Sequence, residues 1–339
     1  MRINQNYKKK VTLKDIADML SVTTATVSKA LRNGDDISSE MKEKVKRTAK
    51  EIGYRPNIFA RCLIVNRSKI LGVLIPDLRI SFFSEAVRGM YEEANRKGYE
   101  IILMVHDEKR EKEKEKLEFL SDIHVDGILL NAVQGKGNYW LFQKLSEEGI
   151  KFVCWGRKLD DFGYKSVTID DKKASYDLTM KIINQGRKNI LFLGPNTEIP
   201  VVKNRFEGYK SALKEHDIDF KHSLVVQTFR SYNGSYKKMD SLLNKNIEID
   251  GLVSGWGVIT YGAGKAILDH NLSIPEDIIL GEFDDNDIVN RLGVPFYTVH
   301  QNPYKIGKAA VDLLIRQLES KERENHFQDI VIESEVIER

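Results

Sequence analysis

Thr24, Ala25, Thr26, Ser28, Lys29 and Arg32 crowd into nine positions that also hold Val27, Ala30 and Leu31 at helical spacing. With the apolar three turned inward, the other six form an outward face of small or long polar groups, able to enter a major groove and reach base edges or phosphates. A helix that merely faces water would more usually carry Glu. The residues of covalent chemistry have no such arrangement. Cys62 and Cys154 are the only cysteines, too few for a disulfide framework and not spaced as metal ligands. The seven His are scattered, with no His-Glu-x-x-His. Gly255-Trp256-Gly257, with Gly262 and Gly264, hints at a phosphate loop but lacks the Lys-Ser/Thr that such a loop needs. No Gly-x-Ser-x-Gly or close catalytic dyad occurs, so neither enzymatic turnover, a metal nor a cofactor is expected.

The polar face needs a scaffold, and the flanking residues supply one. Leu13, Ile16, Ala17 and Leu20 mark one face of a first helix, which Thr12 can cap and whose first turn holds Asp15. Ser21-Val22-Thr23 interrupts it, Thr23 can cap the second helix, and that helix ends near Asn33-Gly34. A third begins after Ser38, carries Val45, Ala49 and Ile52 inward and closes at Gly53. Charge concentrates here too. Residues 1–69 hold 16 Lys+Arg against 7 Asp+Glu, a net +9 in a chain of net +3. A basic module on a mildly acidic body is the electrostatic footprint of nucleic-acid binding.

In order and spacing, Val11-Thr12-Leu13-Lys14-Asp15-Ile16-Ala17, Ala25-Thr26-Val27-Ser28-Lys29-Ala30-Leu31, Gly53-Tyr54-Arg55-Pro56-Asn57 and Ala60-Arg61-Cys62-Leu63 resemble the headpiece signature of the LacI/GalR (lactose-repressor) family. Leu20-Ser21-Val22-Thr23 departs from the family's usual Ala-Gly-Val-Ser at the turn but keeps a hydroxyl cap. The resemblance implies that Thr24, Ala25 and Lys29 read bases, with Thr12, Thr23, Thr26 and Asn33 near phosphates. An apolar Ala25 suits a thymine methyl. It also implies a hinge helix over 57–63, capped by Asn57, in which Ala60 and Leu63 meet DNA and Leu63 is a wedge in a minor-groove step. So short a helix needs DNA and a second copy to fold.

At 339 residues the chain exceeds one compact core. We divide it into a helix-turn-helix headpiece (1–56), a hinge and linker (57–67) and an α/β core (68–339). In the core, strand patterns at 70–75, 100–105, 127–130 and 152–155 alternate with helical patterns at 83–96, 112–120 and 139–148. A second series follows, with strands at 190–194, 224–227, 251–254 and 278–283 and helices at 174–184, 205–215, 236–243 and 259–269. This predicts two Rossmann-like lobes with parallel sheets facing each other across a cleft, the first about 68–169 and 301–322, the second about 170–300 and 323–339. The Lys/Glu-dense run 108–118 reads as a solvated helix face without function. No stretch is apolar enough to span a membrane, and the polar, basic start has no secretory character, which places the protein in the cytoplasm.

Gly72-Val73-Leu74-Ile75-Pro76-Asp77, Val125-Asp126-Gly127-Ile128, Arg205-Phe206-Glu207-Gly208-Tyr209, Ile274-Pro275-Glu276-Asp277-Ile278 and Phe283-Asp284-Asp285 resemble the same family's regulatory core, itself similar to periplasmic sugar-binding proteins. The resemblance implies an effector cleft lined by Phe82, Phe83, Asn131, Arg157, Arg205, Trp256 and Asp284. Forked donors, a carboxylate and aromatic rings suit a sugar or glycoside. Trp256-Gly257 replaces the family's usual Asn-Asp, Gly156-Arg157 its common Asp-Arg, and Ile80 an Asn, so polar contacts give way to apolar surface. The expected protein is a homodimeric regulator, a repressor of carbohydrate-metabolism genes, on near-palindromic double-stranded operator DNA; no heptad tail suggests a tetramer. A nucleobase or phosphoprotein corepressor, and a sugar-binding transport protein, are the alternatives. Leu63→Ala is expected to weaken operator binding more than binding to random DNA. Equal losses in titrations on the two duplexes would count against the wedge.

Overall fold

The computed structural model describes residues 11–54, 67–133, 135, 137–159, 163–196, 199–283, 287–320 and 327–339. The chain divides into two compact units, Met1–Ser68 and Lys69–Arg339. In the first, α1 (Leu13–Leu20), α2 (Thr24–Leu31) and α3 (Ser39–Glu51) enclose Ile16, Ala17, Val27, Ala30, Val45 and Ala49. Each start is fixed by a hydroxyl. Thr12 and Asp15 form a reciprocal capping box, Thr23 Oγ1 accepts from the Thr26 amide at 3.1 Å, and Ser38 Oγ accepts from the Met41 amide at 3.3 Å. Ser21 ends α1 in the left-handed region, φ 52°, and so takes over the turn glycine's place. Asn57, Ala60 and Leu63, with the hinge helix expected around them, lie outside the described residues.

The second unit is built twice on one plan. Its first lobe contains β1 (Ile70–Ile75), α4 (Ser81–Arg96), β2 (Glu100–Val105), α5 (Arg110–Asp122), β3 (Gly127–Leu130), α6 (Tyr139–Glu147), β4 (Lys151–Trp155) and β5 (Lys165–Thr168). Its second contains α7 (Asp171–Ile183), β6 (Ile190–Gly194), α8 (Pro200–Glu215), β7 (Val225–Gln227), α9 (Tyr232–Asn244), β8 (Gly251–Ser254), α10 (Gly257–Asp269), β9 (Ile279–Phe283), α11 (Asp287–Asn290) and β10 (Tyr297–His300). After these come α12 (Pro303–Glu319), β11 (Ile330–Val331) and β12 (Glu335–Glu338). The sheets run β11-β5-β4-β3-β1-β2 and β12-β10-β9-β8-β6-β7, parallel except for the β10–β12 pair. β3 and β8 are buried at every residue because helices cover both faces, which is why they read as unbroken apolar runs. Among the described residues no helix is long and apolar enough to cross a membrane.

Two expectations need correction. Ile330 and Val331 pair with Val167 and Thr168 in the first sheet, so the final crossing to the second lobe falls between β11 and β12, not at 323. Except for α6, the body helices begin two to five residues before the apolar periodicity does. In α7 and α8 the first turns are the reason: Asp171 and Val201 line space between the lobes, so they do not repeat the core-facing pattern. β5, β10 and the edge strands β11 and β12 went unread because all are at most four residues long and all but β11 are partly polar.

Glycines set the closest helix contacts. A Cβ on Gly307 of α12 would stand 2.0 Å from the Ala86 carbonyl oxygen of α4, and one on Gly208 of α8 would stand 2.1 Å from that of Lys172 on α7. Backbone cannot yield as a side-chain tip can, so the helices would have to part. Gly307→Ala is expected to destabilise the core by about 1–3 kcal/mol, read as a lower urea midpoint; an unchanged midpoint would refute the close approach.

Candidate nucleic-acid interface and ligand cleft

On the headpiece, Thr24, Ala25 and Lys29 are exposed on α2, and Thr26 is half-buried. The structure adds a partner that the sequence reading missed. Lys29 Nζ lies 2.5 Å from Asp36 Oδ2, and this hydrogen bond holds the Asp36 carboxyl below the usual carboxylate range. Asn33, at φ 59°, turns the chain just after α2 and brings Asp36 back to it. Thr12 is committed to capping: its amide and hydroxyl both donate to Asp15 Oδ2, at 2.7 and 2.8 Å. Thr23 and Thr26 share a hydroxyl contact of 2.9 Å. Arg32 Nε donates back to the Ser28 carbonyl at 3.2 Å.

In the core, the carboxyl ends of the strands converge on a cleft, as expected for sheets whose strand order reverses at β1 and β6. Its floor brings together Phe82, Phe83, Asn131, Arg157, Arg205 and Trp256, with Gln301 from a crossover and Arg230 from the loop after β7. Asp284 lies outside the described residues. The floor's free space is about 40 Å³, room for a few waters.

Arg205 is buried, its side chain 6% exposed. Its Nε donates to Asp171 Oδ1 at 2.7 Å, its Nη1 donates to the Gly255 carbonyl at 2.7 Å, and its guanidinium sits 3.8 Å from the Phe283 ring centre. Burial pushes the Asp171 carboxyl up, against the pull of Arg205. Arg157 is also committed. Its guanidinium binds both carboxylate oxygens of Glu108, and Nη1 donates to the Ala132 carbonyl at 2.8 Å. Burial raises the Glu108 pKa, but the Arg157 hydrogen bond and charge outweigh it and the net shift is downward.

Thus the run 108–118 is not a plain solvated face. Glu108 holds an arginine of the cleft, and Glu113 is buried, accepting from the Val133 amide at 2.6 Å and Asn138 Nδ2 at 2.8 Å. Burial pushes the Glu113 carboxyl up. Phe82 and Phe83 are less available to a ligand than expected, because both pack on Trp155, Phe82 stacked at 6.3 Å and Phe83 edge-on at 5.9 Å.

Asn131 is 1% exposed; its Nδ2 donates to the Trp155 carbonyl at 2.8 Å while Oδ1 has no partner. Next to it, Gly156 sits at φ 64°, and a Cβ there would meet Asn131 Nδ2 at 3.0 Å and Phe82 Cε1 at 3.2 Å. The glycine therefore lets ring and amide close over a position where a carboxylate-bearing residue would not fit. Trp256 caps α10 with its ring 5.1 Å from the Arg230 guanidinium and 5.7 Å from that of Arg205. Sequence reasoning missed Asp171, Glu108 and Arg230. Glu108 and Arg230 carried a signal, each standing three residues past the carboxyl end of a strand that the apolar pattern shows, β2 and β7.

Residues 12–57 match the profile of bacterial regulatory proteins of the lacI family, and residues 71–322 match that of a periplasmic binding protein domain. The HTH-type transcriptional regulator RegA of Clostridium saccharobutylicum is 34% identical over 328 residues, covering 96% of this chain and 98% of its own. The ribose operon repressor of Halalkalibacterium halodurans is 29% identical over 320 residues, 94% of each chain. The crystal structure of the lac repressor dimer bound to operator and the anti-inducer ONPF, 19% identical, covers 97% of this chain and 98% of its own at a TM-score of 0.83, a likeness of fold. A helix-turn-helix unit followed by a two-lobed core of this kind defines a DNA-binding transcriptional regulator. The chain belongs to the LacI family of bacterial regulatory proteins.

Removing one partner of a buried ion pair strands the other. Asp171→Asn is expected to cost about 3–5 kcal/mol in urea unfolding, whereas Glu108→Gln, whose carboxylate is 37% exposed, should cost under about 1 kcal/mol. Equal losses would show that Arg205 does not depend on Asp171.

Proposed function

We propose that this regulator is a cytoplasmic homodimer that represses carbohydrate genes, holding a near-palindromic operator with two headpieces and taking a sugar or glycoside between its lobes. The observation that carries the ligand reading is the partnerless Oδ1 of Asn131 at the cleft floor. A buried acceptor left unpaired costs roughly 1–3 kcal/mol, and a ligand hydroxyl would remove that cost. Around it Arg157 and Arg205 are held rigidly by Glu108, Asp171 and backbone carbonyls, so their remaining donor capacity is oriented before a ligand arrives. Trp256 offers an aromatic surface for the apolar face of a sugar. The name of the ribose operon repressor points to the same ligand class.

On the DNA side, Ala25 meets a thymine methyl, Thr24 and Lys29 reach base edges, and the capped N-termini of α1 and α2 lie near phosphates. Asn57, Ala60 and Leu63 supply the hinge contacts and Asp284 a further acceptor in the cleft. A ligand that prefers one arrangement of the lobes shifts operator affinity, and operator shifts ligand affinity by the same factor.

The test uses the full chain, an operator selected from random duplexes, and calorimetric titration with sugars, glycosides and purines. One sugar or glycoside per chain is expected to bind and to change operator affinity by about 5–150-fold, with the reciprocal change in its own affinity. Binding by a purine alone would overturn the sugar reading. Absence of any preference for a palindrome over bulk DNA across salt concentrations would overturn the operator reading.

A further inference from the structure

We infer that Asp36 is a specificity-determining residue for operator recognition that acts through Lys29, tying its ammonium so that it serves a guanine edge in preference to a phosphate. This rests on the reading of Lys29 as a base contact. Lys29 Nζ lies 2.5 Å from Asp36 Oδ2, a carboxylate seven residues further along the chain.

The backbone brings the two groups together. The Gly34 amide donates to the Lys29 carbonyl at 2.9 Å, and the Gly34 carbonyl accepts from the Ile37 amide at 3.2 Å. A Cβ on Gly34 would stand 3.1 Å from Asp36 Oδ1 and 3.3 Å from the Lys29 carbonyl oxygen, so the bare glycine lets the loop close on the end of α2. One residue past Asp36, Ile37 packs on the headpiece core, and Ser38 then caps α3. Asp36 therefore reaches Lys29 from a loop anchored at both ends.

Stability does not account for this arrangement, because an ion pair as exposed as this one contributes little in water. The donor count does. An ammonium has three donors. Asp36 takes one, and the two that remain match the two acceptors, O6 and N7, that guanine shows in the major groove. Lys29 can meet that edge without leaving its carboxylate. A phosphate contact that draws the ammonium away leaves Asp36 charged beside a polyanion, which costs free energy. Lys42 on α3 also acts on Asp36, but through charge alone, so it does not replace the bond.

Fluorescence anisotropy titrations of the full-length protein test this on an operator selected from random duplexes and on a random duplex, over a range of salt. The variants are Asp36→Asn, Asp36→Glu, Asp35→Asn, Lys29→Met and Lys29→Met/Asp36→Asn. Asp36→Asn is expected to lower the ratio of operator to random affinity by roughly five- to tenfold. It should also steepen the salt dependence on the random duplex, because a released ammonium takes up a phosphate. Base-by-base changes in the operator should show the preference relaxing at one guanine in each half-site, the same guanine whose preference Lys29→Met erases. Asp35→Asn removes an equal charge one residue away and should leave the ratio within about twofold, since that charge acts on both duplexes alike. Without Lys29, Asp36→Asn should likewise move it by less than about twofold. Asp36→Glu, which returns a carboxylate, should recover most of the lost ratio. A ratio unmoved by Asp36→Asn, an equal fall with Asp35→Asn, or an undiminished effect of Asp36→Asn in the Lys29→Met background would each overturn the inference and leave Lys29 a base contact. A native ratio in Lys29→Met would remove that reading of Lys29 and the inference with it.

Discussion

A guanidinium taken out of water has to be met on every side, and meeting that of Arg205 organises the second lobe around the cleft. Asp171 comes from the first turn of α7, the Gly255 carbonyl from the end of β8 and the Phe283 ring from the end of β9. Three elements far apart in sequence thus end at one point because a single buried charge requires them there. Asp171 follows closely on the crossing from β5, so the carboxylate that neutralises Arg205 also marks where the chain changes lobes. The first lobe repeats the device more openly, Arg157 taking Glu108 and the Ala132 carbonyl. In both lobes the arginine is oriented by the protein before any ligand arrives, which lowers the entropy lost on binding.

The large framework was legible because it is written in period and burial. Strands covered on both faces give unbroken apolar runs, and helices lying against them give one-sided stripes. Residues that turn away from the core leave no such trace. The first turns of α7 and α8 face the ligand space, so their starts were invisible to periodicity, and β11 is two residues long. The polar cleft was partly legible: Asn131 directly follows β3, where parallel sheets bind ligands, whereas Arg205 lies inside α8 and is marked by the family motif around it. Glu108 was misread because a Lys/Glu run looks uniformly solvated, although its first residues lie in a loop before α5, where Asp107 and Glu108 adopt φ 52° and 54°. Arg230 sits in a loop with no periodic signal at all.

The exchange of polar for apolar groups noted in the sequence takes on a spatial meaning at Gly156. Its left-handed backbone and the 3.2 Å gap to Phe82 leave no volume for a side chain, and Phe82 stacks instead on Trp155. Losing a carboxylate there removes an acceptor for ligand hydroxyls but also a negative charge from a space already lined by three arginines. Among the described residues, an acceptor left without a partner at the floor is the neutral oxygen of Asn131.

The headpiece follows a related logic of prior commitment. Nucleic-acid binding gains free energy when cationic side chains displace counterions condensed on phosphates. Lys29 carries its counterion within the protein, as Asp36 at 2.5 Å. In the docking proposed above, in which Lys29 reaches a base edge, the ammonium either keeps Asp36 through one of its three donors or leaves it beside the phosphates. The pair is exposed, at 49% and 58% of the side chains, so breaking it costs little in water. A contact that makes it leave must offset the repulsion between the carboxylate and the phosphates as well as the broken pair. On the proposed docking, Asp36, a residue outside α2, sets a threshold that a weak contact of Lys29 does not cross, whereas a base edge that accepts two hydrogen bonds can.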